Sequence, residues 1–116
     1  MFIGACWINS ALQLTGGLTK TGPQTLTLGG NLSAVSGPVN INQGGITFTN
    51  PLAIPSGASS INLNDRSGTQ QTLAFNLFAG TPGSIEAPIH LGANSTFSNQ
   101  SSNSQIAFNG LISTQA

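Results

Sequence analysis

The stretch "GGLTKTGPQTLTLGG", residues 16–30, places glycines at both ends, leucines at Leu18, Leu26 and Leu28, and a single lysine, Lys20. Its threonines are Thr19, Thr21, Thr25 and Thr27. A glycine-rich loop with a lysine suggests a phosphate grip. A P-loop, however, needs Gly-x-x-x-x-Gly-Lys-Ser/Thr, with the lysine directly after the second glycine and a helix to follow. Here Thr21 and Gly22 follow Lys20, and "TLTL" alternates polar and apolar residues with period two, as a strand does. The stretch therefore reads as a corner followed by a strand. Leu18, Leu26 and Leu28 turn inward, Thr25 and Thr27 turn outward, and Lys20 is expected as a solvated side chain at the corner.

The same alternation recurs along the chain. Apolar residues at alternate positions occur at Leu12/Leu14, Val39/Ile41, Ile46/Phe48, Leu52/Ile54, Ile61/Leu63, Leu73/Phe75/Leu77, Ile89/Leu91 and Ile106/Phe108. Small or polar residues stand between them. Glycine, proline, asparagine and serine interrupt the pattern every few residues, and no apolar stripe persists at helical period. An antiparallel sandwich would call for longer strands and two-residue hairpin turns. A parallel β-helix needs only short strands, turns of variable length and stacked coils. The step from Ile41 to Leu63 is the same as the step from Thr25-Leu26-Thr27 to its echo, Thr47-Phe48-Thr49. The register fades through "NLNDRSGTQQT". At ~22 residues per coil the chain would make about five coils stacked at ~4.8 Å. Asparagines at the turns would form side-chain ladders, and glycines would take the tightest corners.

The motif resembles the autotransporter-associated β-strand repeat of type V secreted bacterial surface proteins. That pattern opens Gly-Gly-Leu-Thr-Lys-Thr-Gly, continues Thr-Leu-Thr-Leu, passes a Gly/Asn-rich loop and reaches a Val-Asn-x-Gly strand. Gly16 to Gly22 and Thr25 to Leu28 match the first two parts, and "SGPVNINQGGITF" (36–48) resembles the last. Pro23-Gln24 stands where Ala-Gly is usual, and the intervening loop is short. "FNGLIS" (108–113) resembles the "WINSALQLTGG" that precedes the motif at the front. The specific match covers about 30 residues, and residues 50–88 are not specifically matched. The resemblance implies a right-handed parallel β-helix in residues 1–116, a single segment of a longer repeat array with its motif at 16–48. It implies an extracellular, surface-displayed stalk or adhesive role, with no catalytic residue, cofactor or metal. Its partners would be neighbouring repeats of the same polypeptide, and a host surface or glycans beyond them.

Composition bears on other classes. Only 3% of the residues are charged and the formal net charge is zero, so nothing offers a basic patch to nucleic acid. No apolar run reaches the ~18 residues of a membrane span. "MFIGACWINS" lacks the basic residues of a signal peptide, so an export signal is expected elsewhere. Leu, Ile, Val and Phe supply 30 of 116 residues, above the roughly 20% that marks disorder. Cys6 is the sole cysteine; it reads as a small apolar residue rather than a reactive thiol.

The remaining chemical candidates are few. Glu86 and His90 are one helical turn apart in sequence, but Pro88 argues against the helix that would join them, and extended chain holds them ~13 Å apart. His90 should point outward, with a residue of another coil as its available neighbour. Asp65-Arg66 sits in a turn composition where an ion pair is worth little. Asp65 and Glu86 are the only side-chain carboxylates, separated by close to one coil; a glycosidase would need two acids across a cleft. A carbohydrate-binding or carbohydrate-cleaving β-helix is the alternative function. Outward Thr pairs at "TLT" and "TFT" suit exposed strand positions, and two recurrences do not make an ice-binding array. Trp7, the only tryptophan, is expected to fill the core or plug the N-terminal coil rather than stack on a sugar. Asn31, Asn94 and Asn99 begin Asn-x-Ser/Thr triplets, which chance supplies in so Asn- and Ser-rich a chain.

Overall fold

The computed structural model describes residues 2–3, 6–32, 34–50, 54, 57–64, 70–77, 82–92, 94–100 and 105–114. Among these there are strands and turns but no helix. The strands are short, and every pairing among them is parallel. The chain is a parallel β-solenoid.

Three faces stack along the solenoid. The first carries six rungs: Phe2–Ile3 (β1), Leu18–Lys20 (β4), Gly37–Ile41 (β7), Ala58–Leu63 (β9), Ile89–Leu91 (β12) and Ile112–Thr114 (β15). The second carries five: Cys6–Ile8 (β2), Thr25–Leu28 (β5), Gly44–Phe48 (β8), Gln71–Phe75 (β10) and Ser95–Asn99 (β13). The third holds two pairs, Gln13–Leu14 (β3) on Ala34–Val35 (β6) and Gly83–Ile85 (β11) on Ile106–Phe108 (β14). Six and five rungs correspond to four to five turns, in line with the stack expected from the apolar pairs.

Alternation builds the core. On the first face Leu18, Val39, Ile61 and Ile89 stack in one inward column; on the second, Leu26, Ile46 and Leu73 do the same beside Leu28, Phe48 and Phe75. All ten are buried. Each such side chain contributes about 1.5–3 kcal/mol by leaving water. Phe75 is the aromatic hub, its ring centroid 5.8 Å from Phe48 and 6.2 Å, edge-on, from Phe108. Of the predicted pairs, Leu52 lies outside the described residues; Ile54 is buried.

The register corrects one expectation and explains another. Ile41 does lie on Leu63. The threonine echo does not align as expected. Thr27 lies on Thr47 and Leu28 on Phe48, a shorter step than the echo gives, while Thr25 lies on Gly45. Sliding a strand along by one alternation keeps every side chain on the same face, so alternation cannot distinguish the two registers. The corner decides it, because the link from β4 to β5 is longer than the link from β7 to β8. Further on, His90 lies on Asn62, a longer step than the one from Asn40 to Asn62. The extra length falls between rungs, which is why the period fades after Leu63 although the stacking continues.

Glycines make two of the corners possible. Gly17 and Gly37 both have left-handed backbone, at φ 85° and 82°, a conformation that costs L-residues. They stack directly: a Cβ on Gly37 would stand 2.9 Å from the Gly17 nitrogen. Gly22 and Gly44 repeat the device on the other side of the first face, at φ 83° and 74°.

Candidate functional site

Lys20 is the largest departure from the expectations. It follows Leu18 and Thr19 in a short strand, so alternation turns it inward, in register with Ile3 on one side and Ile41 on the other. It is completely buried rather than solvated. Its Nζ donates to the carbonyls of Thr21 and Gly22, both at 2.8 Å, and to that of Gln43 at 3.4 Å. The side chain is long enough to run through the core and leave its ammonium at the corner, where turning backbone exposes carbonyls to no strand partner. Burial pushes its pKa below the ordinary 10.5, since desolvation disfavours the charged form. Gln71 performs a similar task two coils on. It is buried and lies on Gly44, and its Nε2 donates to the Asn42 carbonyl at 3.1 Å. The sequence signal for both was their inward parity beside a glycine corner, which a polar residue type obscured.

Outward side chains form ladders. On the first face the column runs Thr19, Asn40, Asn62, His90, Ser113. Asn62 Nδ2 donates to Asn40 Oδ1 at 2.9 Å, and at the corner Asn64 Nδ2 donates to Asn42 Oδ1 at 2.6 Å. These are the asparagine ladders anticipated from the turns, with Asn40 and Asn62 extending them into the strands. His90 Nδ1 is 2.8 Å from Ser113 Oγ. Glu86 Oε1 accepts from Asn109 Nδ2 at 3.0 Å. Glu86 and His90 thus each engage a residue of the following coil. A serine–histidine contact is the beginning of a nucleophile, but this pair continues a ladder of amides and hydroxyls and reads as another rung of it. Among the described residues no three His, Cys, Asp or Glu side chains gather as a metal site. Asp65, Arg66 and the Cys6 side chain lie outside the described residues.

The second face is different. Its outward column runs Trp7, Thr27, Thr47, Ala74, Ser98. Trp7 does not fill the core. It is 65% exposed, because Trp7 has the parity of Thr27 while Ile8 takes the inward position. Its Nε1 donates to Asn9 Oδ1 at 2.7 Å. Two shallow depressions flank this column. One, of about 400 Å³, is lined by Trp7, Asn9, Gly29, Thr49, Asn50, Asn76 and Leu77. The other, of about 360 Å³, lies over Thr25, Gly45, Thr47, Thr72 and Ala74 with Gln43, Gln70 and Gln100 at its margins. Among the described residues no charged side chain lines either one. The threonines form short stacks, Thr27 on Thr47 and Thr72 on Thr96, interrupted by Gly45 and Ala74.

Among the described residues, the last rungs of the stack expose apolar side chains. Leu111 is 74% exposed, Ile112 42% and Phe97 37%. The Phe97 and Phe108 rings stack at 5.1 Å there. Comparisons with protein-family models, curated proteins and solved structures found no match to this chain.

Proposed function

We propose that the chain is a non-catalytic structural segment of a secreted bacterial surface protein, a rod-forming passenger repeat of the autotransporter type. The observation that carries this reading is the exposed apolar edge: Leu111, Ile112 and Phe97 are presented beside strands β13 and β15. Apolar side chains at the edge of a coil suit contact with a neighbouring coil, as between stacked repeats. Low charge suits lateral packing of such rods, since self-repulsion is small. The motif at 16–48 supports the surface-display part of the reading, and glycines and Lys20 set its corners. The neighbouring coding sequence tests it. A downstream region of ~10-residue alternating strands, the pattern of a membrane β-barrel, is the expected finding. Flanking domains of a cytosolic enzyme would overturn it.

A further inference from the structure

Trp7 presents an indole to water, held in one attitude by its bond to Asn9 Oδ1 at 2.7 Å. The ring borders a depression of about 400 Å³, within the range of small-ligand clefts. Its other described walls are the amides of Asn9, Asn50 and Asn76, the hydroxyl of Thr49, and the side chain of Leu77. Gly29 keeps the space open. A Cβ there would stand 2.5 Å from Asn9 Oδ1 and 2.9 Å from Thr49 Oγ1, displacing the group that orients the indole. A flat aromatic face beside groups that both donate and accept matches one ligand chemistry. A sugar ring has an apolar C–H face to lay on the indole and a rim of hydroxyls for amides and a hydroxyl to hold. An acidic glycan would want a cation, and the described lining has none; Lys20 is buried at its corner.

We propose that this depression binds a neutral glycan, with Trp7 as the stacking platform. The proposal concerns the surface of this chain alone and stands or falls separately from the stalk reading. Trp7 is the only tryptophan and the chain has no tyrosine, so its emission reports the platform directly. The 116-residue chain is titrated with soluble galactomannan, xyloglucan and dextran, and with heparin, by fluorescence and by affinity electrophoresis. At least one neutral polymer is expected to shift the emission to the blue, protect it from acrylamide quenching and retard the chain, while heparin does none of these. Trp7→Ala is expected to weaken retardation by about tenfold or more, Trp7→Phe by less, and Gly29→Ala to weaken it by disturbing Asn9. Because Trp7 is exposed, Trp7→Ala should keep a strand-dominated circular-dichroism spectrum. If it does not, emission and quenching of the unaltered chain decide. Failure of all three neutral polymers to bind, tighter binding of heparin, or undiminished binding by folded Trp7→Ala would overturn the proposal.

Discussion

Lys20 occupies a position where alternation calls for an aliphatic side chain, and chain geometry explains why a lysine works there. Its methylenes join the inward column beside Ile41, and its ammonium satisfies carbonyls of two successive corners. Lys20→Met keeps an unbranched apolar stem and removes the donor. Leaving buried acceptors unpaired costs about 1–3 kcal/mol, so the stability of this variant is expected to fall by that order in urea titration. The pH dependence has a definite sign. Folding lowers the pKa of Lys20, so between that value and 10.5 the unfolded chain holds more protons than the folded one. Stability should therefore rise with pH through that window and be flat below it. The chain has no tyrosine and a single thiol, Cys6; in a Cys6→Ser background the rise should vanish with Lys20→Met. A rise that persists in the double variant would place its origin elsewhere.

Strands this short would not persist alone; stacked in register they make columns, and the columns carry the stability. Phe75 shows the consequence, since it contacts rings of two other strands, Phe48 in β8 and Phe108 in β14. Phe75→Ala is expected to cost about 3–5 kcal/mol, measured by urea unfolding, and to loosen the C-terminal coils before the motif coil in hydrogen exchange. Corners matter equally. Gly37→Ala must adopt φ 82° with its Cβ 2.9 Å from the Gly17 nitrogen, so its thermal midpoint should drop although an alanine in an ordinary turn is harmless. A Gly37→Ala chain as stable as the original would mean that the stacked corner relaxes freely.

A stack of parallel coils has two ends, and each offers unpaired backbone groups to another strand. With zero formal net charge and an apolar C-terminal edge, the isolated chain is expected to self-associate with rising concentration in sedimentation velocity. Leu111→Lys combined with Ile112→Lys puts charge on that edge, which blocks strand addition. The double variant should sediment as a monomer and retain its circular-dichroism spectrum. A monomer at all concentrations without these substitutions would count against end-to-end contact.

Period-two alternation at Leu26/Leu28, Ile46/Phe48, Ile61/Leu63 and Leu73/Phe75 by itself determined the strands and their inward sides, because side-chain direction in a strand depends only on parity. The shortness of the strands and their irregular connectors pointed to a solenoid rather than a sandwich. Glycine placement likewise announced the corners. Rungs with few apolar residues, such as Ser95–Asn99, were not legible, since they take their conformation from the strand beneath them. Only the tertiary structure decided the register, because a slide by one alternation leaves parity unchanged and corner length selects among the options. It alone showed that Lys20 is buried and Trp7 exposed. Residue type predicted the opposite for each. Position in the column overrode type, as inward space had room for a lysine's methylenes and a corner full of carbonyls, while the outward column had nothing to cover an indole.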